Sequence, residues 1–409
     1  MHDSARQSAT VHDPIAATLF APIGTPRAQR AFALVFCVLL ALPLATRIAG
    51  WDNQVQRLEQ HEPARLPPLP RNGAALQAWP QAFDRWLLDG AGLRNAMVFA
   101  DSAIRVYVLR QSTNDAVVLG REGWLFHAGD RTFEQLRGED RFTPAQLDRW
   151  IDRMEQRRAW LAERGIALLF VVVPNKERVY AELLPATHAQ VGPVSRMTQL
   201  TERVRERGSP LQVLDLTDIL VAAKREMQVF AKNDTHWSGA GGFRAYQAIM
   251  RRLQPMLPTL QPLEVGAMKP VAFTYPAYQL DLLRMLGLGW HGPSETLDYP
   301  LFREEPPWSM QRKDVVVDGV PQVRLSSSRS GAPSSLWLRD SFSDTIAVYL
   351  NATFGSAVLM PHRGMRFDAH LIEAERPDVV VYEVVERFLV DELPPDSLPP
   401  AEPQVADIR

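Results

Sequence analysis

Residues 31–45 (Ala-Phe-Ala-Leu-Val-Phe-Cys-Val-Leu-Leu-Ala-Leu-Pro-Leu-Ala) carry no charge and no strong polar group, and apolar character resumes past Thr46 and Arg47 to Trp51. That is about the 20 residues an α-helix needs to cross a bilayer. Arg6, Arg27 and Arg30 precede it. The positive-inside rule therefore leaves the N-terminus in the cytoplasm and exports the body of the chain. A cleaved signal peptide is one rival, but Arg47 after Ala45-Thr46 makes a poor small-x-small cleavage site. A buried helix of a soluble protein is the other, yet a helix apolar on every side this near a terminus suits lipid better. The residues predict a cytoplasmic tail over 1–30 and an uncleaved signal anchor over 31–51.

The only cysteine, Cys37, lies inside that span, so the exported part has none. A disulfide framework, a cysteine zinc site and a CxxC redox motif are thereby excluded. The exported part must hold together by its packed core, and about 350 residues can bury one. Nine histidines show no HExxH spacing, and neither a metal site nor a cofactor is predicted. Lys+Arg of 45 against Asp+Glu of 47 argues against a nucleic-acid binder, which needs a basic footprint. The 32 prolines exceed the usual share of about 5% and gather at the flanks. They predict a semi-rigid linker over 52–79 and a disordered proline-rich tail over 393–409. A length of 409 residues allows two or three domains; this partition leaves one, residues 80–392.

Within it, strand and helix signals alternate. Thr143-Pro-Ala-Gln146 opens a helix as a capping box with proline at its first position. Leu147, Trp150, Ile151, Met154 and Leu161 recur at helical spacing, and Gly165 stops it. Residues 166–173 are then continuously apolar, as a parallel strand covered on both faces requires. Shorter strands are expected at 212–216, 335–338, 357–360 and 378–385, with a helix at 367–375. The expected fold class is α/β, a doubly wound, mainly parallel sheet preceded by a single N-terminal transmembrane helix. Such sheets bind ligands beyond the carboxyl ends of their strands. Those ends carry Asn175 and Lys176, Asp215, Asp340 and Ser341, and Glu383, Glu386 and Arg387.

Three of these regions could carry chemistry. At Leu336–Asp344 a buried strand runs into Ser341 and directly into a helix, whose N-terminus offers N–H groups to an oxyanion. Ser341 or Ser343 as a plain N-cap fits the same residues, and the glycines of GxSxG are missing. At Lys232–Gly239, Ser238 caps a helix and leaves Asp234 and His236 on the loop before it. A carboxylate two residues from an imidazole can orient it and leave Nε2 free as a base. Asp234 as a turn cap, or both as metal ligands without a third and fourth partner, are the alternatives. After the long strand, Asn175 could donate to an oxyanion and Lys176 could bind an acidic group, or both are solvated loop residues. Arg387 could meet a substrate carboxylate, or belong with Glu383 and Glu386 to a salt-bridged strand end.

Five segments occur together and in order: Gly120-Arg-Glu-Gly-Trp-Leu-Phe126; Val172-Val-Pro-Asn-Lys176 with Tyr180; Asn233-Asp-Thr-His-Trp237; Asp340-Ser-Phe-Ser343; and Pro377–Glu383 with Glu386-Arg387. Over about residues 80–390 the chain resembles the SGNH-hydrolase-like O-acetyltransferase family that includes the periplasmic alginate acetylation proteins AlgJ and AlgX. The resemblance implies Ser341 as nucleophile, His236 as base and Asp234 as orienting acid, with the Asp-His pair before the serine, the reverse of ordinary SGNH enzymes. Arg339 stands where the family's usual Gly-Asp-Ser has glycine, which would narrow or charge the acyl pocket. It further implies acetyl transfer through a serine acyl-enzyme to hydroxyls of an exported polysaccharide, alginate-like or other. A membrane-bound O-acyltransferase partner would supply acetyl groups, and the domain would sit in the periplasm, held to the bacterial inner membrane by its helix. The triad alone is equally compatible with a carbohydrate acetylesterase. A non-catalytic polysaccharide-binding scaffold of an export machine is the reading from another class.

Overall fold

The continuously apolar segment at 166–173 is the strand Ala167–Val173, buried along nearly its whole length, and the main sheet is laid out around it. The computed structural model describes residues 25–49, 64–89, 94–396 and 398. It divides into two units, residues 1–97 and 98–409.

In the first unit an α-helix spans Pro26–Ile48; a window of 18 residues in its segment Pro26–Thr46 has a mean hydropathy of 1.9 and no buried residue. The expected anchor at 31–51 thus coincides with a helix that starts earlier, at Pro26. By length and composition the helix could cross a membrane. A second helix, Gly73–Asp89, corrects the expected linker at 52–79: its first residues are helical rather than extended. Asn72 accepts from the Ala75 N–H at 2.8 Å, and Trp79, Phe83 and Trp86 stack along one side. Cap and ring contacts outweigh the proline content, and Pro80 is accommodated inside the helix. The predicted cytoplasmic tail lies outside the described residues except at 25–30, and 51–63 of the linker region lies outside them too.

In the second unit the strands are β1 (Val117–Leu119), β2 (Leu125–His127), β3 (Ala167–Val173), β4 (Val213–Asp215), β5 (Met268–Tyr275), β6 (Glu295–Phe302), β7 (Met310–Val317), β8 (Val320–Ser327), β9 (Ser334–Arg339), β10 (Ser356–Pro361) and β11 (Val379–Val385). Seven of them form one mixed sheet in the order β4-β3-β11-β9-β10-β8-β7. The first five are mutually parallel, and β8 and β7 extend the sheet antiparallel beyond β10. β1–β2 and β5–β6 are separate antiparallel pairs. This is the expected α/β architecture, mainly parallel, with an antiparallel margin.

Side-chain alternation on the central strands feeds two cores. Leu169, Val171 and Val173 join Trp337 and Val381 against residues of the helices Gly239–Leu253 and Ser343–Thr353. Leu168, Phe170 and Val172 join Leu338 and Tyr382 against the helices Pro144–Ala162 and Arg196–Glu206. Each such side chain contributes about 1.5–3 kcal/mol by leaving water, so the sheet is stable without any disulfide. Thr143 and Gln146 form the predicted capping box, and Gly165, at φ +73°, ends that helix with the Ile166 N–H bonded to the Leu161 carbonyl at 3.0 Å.

The start of the tail is also corrected. Leu393 is buried, and Asp396 takes two hydrogen bonds from Arg157, at 2.7 and 2.8 Å. Arg157 is fully buried, and a buried guanidinium requires a counter-charge, so 393–396 packs on the domain. Residues 399–409 lie outside the described residues.

Candidate active site

Ser341 follows the last residue of β9 by two positions, and the helix Ser343–Thr353 begins two positions after it. The turn between strand and helix is pinned by Asp340, whose Oδ1 accepts from the Phe342 N–H at 2.9 Å and whose Oδ2 accepts from the Val385 N–H at 2.7 Å. The cap reading of both serines is set aside: the helix has Phe342 at its N-cap, with no side-chain cap bond. Ser343 Oγ instead donates to Glu383 Oε2 at 2.7 Å, and Ser341 is exposed above the sheet.

The Asp234–His236 loop comes from an unrelated part of the chain. Ser238 caps the following helix, accepting from the Gly241 N–H at 3.0 Å as its sequence position predicts. Gly241 and Gly242 let that helix approach closely. A Cβ on Gly241 would lie 2.0 Å from the Val229 carbonyl oxygen, and one on Gly242 3.1 Å from Trp237 Nε1. Trp237 Nε1 in turn donates to the Phe342 carbonyl at 3.0 Å, fastening the histidine loop to the serine turn.

The result is a continuous relay. Asp234 Oδ1 lies 2.6 Å from His236 Nδ1, and His236 Nε2 lies 2.6 Å from Ser341 Oγ. Burial would push the imidazole down, but the Asp234 hydrogen bond and charge outweigh it, and the pKa ends above the usual 6.5. Burial likewise opposes the Asp234 charge. The imidazole contact and charge prevail, with help from the Asp281 backbone N–H, and hold Asp234 at about 2. A low-pKa carboxylate behind a base whose other nitrogen touches a hydroxyl can deprotonate that hydroxyl.

Two carboxylates absent from the sequence reading support this loop. Asp281 accepts from the Thr235 N–H at 2.8 Å and from Thr235 Oγ1, while its own N–H donates to Asp234 Oδ2 at 2.7 Å. Burial first, and the Asp234 charge second, raise the Asp281 pKa. Glu295 accepts from the backbone N–H groups of Lys232 and Asn233, at 2.6 and 3.0 Å, and from the side chains of Asn233 and Gln228. Neither could be found from spacing, because each lies some 46–67 residues from its partners. Asp281 also supplies the third potential ligand of the metal alternative, since donor atoms of Asp234, His236 and Asp281 lie within 4.8 Å of one another. The hydrogen bonds of the loop already engage these atoms, so the set as it stands is arranged to hold protons.

The residues after β3 depart from expectation. Lys176 is corrected: it is 2% exposed, and Nζ donates to the carbonyls of Ala231, Lys232 and Asp234 at 2.9, 3.1 and 2.8 Å. Burial lowers its pKa to about 8. It braces the Asp234 loop from beneath and has no donor left for an acidic ligand. Asn175 is also buried. Its amide faces Gln135 Oε1 at 3.4 Å and its carbonyl faces Arg387 at 3.5 Å, so its side-chain partners do not include Ser341. Arg387 lies 5.8 Å over the Phe342 ring and lines a cavity of about 580 Å³ with Arg339, Asp340 and His362. It forms no ion pair among the described residues. Glu386 does, but with Arg178 at 3.1 Å rather than with Arg387, so the expected salt bridge within the strand end does not form. Arg339, in the glycine position, turns back to Asp344 at 2.8 Å.

Fold and site define an SGNH-hydrolase-like α/β domain with a hydroxyl, an imidazole and a carboxylate in line. A family model described as the SGNH hydrolase-like domain of acetyltransferase AlgX matches residues 117–385. The chain belongs to this AlgX-type SGNH hydrolase-like family. It is similar to a probable alginate O-acetylase AlgJ of Pseudomonas aeruginosa, 28% identical over 239 residues, 56% of this chain and 54% of that protein. A probable alginate O-acetylase AlgJ of Pseudomonas putida is 32% identical over 135 residues, 32% of each chain. The matches therefore span about half or less of these relatives. Bacillus cereus PatB1, solved with a sulfonyl adduct, shares the fold at a TM-score of 0.50 and 14% identity, over 67% of this chain and 97% of that one.

Proposed function

We propose that this protein is an O-acetyltransferase that passes an acetyl group through Ser341 to a hydroxyl of an exported polysaccharide. The observation that carries the reading is the 2.6 Å contact of His236 Nε2 with Ser341 Oγ, made while Nδ1 is held by Asp234. Family membership and the names of the matched AlgJ relatives support acetyl transfer and an alginate-like acceptor.

His236 takes the Ser341 proton as Oγ attacks the acetyl carbonyl. The donor's C–O bond then breaks, and His236 returns the proton to the departing oxygen. No acceptor among the described residues engages the Ser341 N–H, which together with the start of the helix Ser343–Thr353 faces the developing oxyanion. In the second half, an acceptor hydroxyl gives its proton to His236 and attacks the acyl carbon; the acyl–Oγ bond breaks, and His236 returns the proton to Ser341 Oγ. Arg387, on the cavity beside Asp340, would bind a negatively charged group of the acceptor. Asn175 would hold Arg387 in place.

The apolar helix Pro26–Ile48 supports placement at the inner membrane with the 98–409 unit in the periplasm, beside a membrane-bound O-acyltransferase that supplies acetyl groups. Incubation of the full chain with an aryl acetate and candidate oligosaccharides tests the reading. Acetylated oligosaccharide, detected by mass and absent with Ser341→Ala, is expected. Free acetate alone would make the protein an esterase. Polysaccharide binding without turnover would make it a scaffold.

A further inference from the structure

Glu383, in the last turns of β11, is fully buried beneath the Ser341 turn and forms no ion pair among the described residues. Its Oε2 accepts from Ser343 Oγ at 2.7 Å and from the Asp340 N–H at 3.3 Å. No donor reaches its buried Oε1. The neighbouring Asp340 carboxyl already accepts backbone N–H groups on both of its oxygens. A fully buried carboxyl with one oxygen undonated and no ion pair is strongly disfavoured as an anion, the more so beside a second carboxyl that accepts on both oxygens. The hydrogen-bond pattern puts the proton on Glu383: Asp340 accepts on both oxygens, and Glu383 has an oxygen with no donor.

We propose that Glu383 is a neutral acid and a positioning residue: its Oε2 holds the Ser343 hydroxyl and the Asp340 N–H, and these bonds fix the turn that presents Ser341. The groups facing Glu383 are Asp340 from the end of β9 and Ser343 from the following helix; the paired residue on β3 is Val171. His362, after β10, interacts with Asp340. Burial first, and the Asp340 charge second, push the Glu383 pKa well above its ordinary value, in keeping with this geometry. Ionisation would put an unpaired buried charge beside Asp340 under the nucleophile and open the turn. The catalytic side of the proposal rests on Ser341 being the nucleophile; the charge state of Glu383 does not.

The experiment therefore reads both, on the full chain. Infrared difference spectra of wild type against Glu383→Gln at neutral pH should show one protonated-carboxyl C=O band missing from the variant. In aryl-acetate turnover, Glu383→Gln should keep kcat within about threefold, because its amide oxygen still accepts from Ser343 and from the Asp340 N–H. Glu383→Ala should lose about 100-fold in kcat with little change in KM, the scale expected for a displaced nucleophile. The wild type should lose kcat on an alkaline limb that tracks disappearance of the infrared band, and Glu383→Gln should lack that limb. A missing band, or an alkaline limb unchanged in Glu383→Gln, would overturn the proposal. So would a folded Glu383→Gln as impaired as Glu383→Ala. If the wild type itself turns over no ester, the Ser341 reading fails, and the band alone decides the proton on Glu383.

Discussion

His236 and Ser341 are 105 residues apart in the chain, yet Nε2 of one lies 2.6 Å from Oγ of the other. Neither belongs to regular secondary structure. The histidine is carried on a loop before one helix and the serine on a turn before another, and Trp237 donating to the Phe342 carbonyl binds the two together. Replacing Trp237 with Phe removes that N–H and trims the indole packed against Phe342 while keeping one ring there. It should lower kcat about 10-fold while leaving aryl-acetate KM near wild type, a pattern read from steady-state kinetics.

The raised His236 pKa sets the direction of the pH profile. The base must be neutral to accept the serine proton, so kcat/KM should rise along an acidic limb centred above 6.5. Asp281 adds to this rise, its Oδ2 lying 3.8 Å from His236 Nδ1. Asp281→Asn should move the limb to lower pH. Stability runs the other way. A histidine whose folded pKa is raised stabilises fully below its unfolded value, and that contribution fades as pH rises through the folded one. Thermal unfolding followed across this window should show the decline in the wild type and a smaller one in His236→Gln.

Glu295 takes four hydrogen bonds from the segment that leads into Asp234. Glu295→Ala leaves two backbone N–H groups without that acceptor, at about 1–3 kcal/mol for each buried group left unsatisfied. The denaturant midpoint should fall with an unchanged m value, and kcat should fall with it.

Lys176 makes the corresponding argument from below, with three carbonyls on one ammonium. Lys176→Met should cost about 3 kcal/mol or more, because the carbonyls stay buried after the donor is gone. Equilibrium unfolding measures it. If Lys176 instead met an acidic ligand, the variant would fold with wild-type stability and lose affinity.

Much of this was legible in the chain and some could not be. The capping box at Thr143, the stop at Gly165 and the apolar strand β3 follow from local propensity and periodicity, which act over a few residues. Asp234, His236 and Ser341 stood out because each precedes a helix start with its own local signature. The hairpins β5–β6 and β7–β8 did not. One strand of each, β5 and β7, is largely solvated, with most of Lys269–Thr274 and Gln311–Asp314 exposed, so no clean hydrophobic alternation marks the pair. Lys176 was misjudged for a related reason. A lysine after a strand looks solvated until the loop from residues 231–234 folds over it. Asp281, Glu295 and the Glu383–Asp340 contact are products of tertiary closure, and no spacing rule encodes them.

Location of the acyl group tests the central claim most directly. The full chain is incubated with an activated acetyl ester, quenched in acid, digested and mapped by peptide mass spectrometry. A single acetyl on the peptide containing Ser341, absent from Ser341→Ala and strongly reduced in His236→Ala, is the predicted result. Acetylation of a different residue at a competent rate, or ester turnover by Ser341→Ala equal to wild type, would contradict the account.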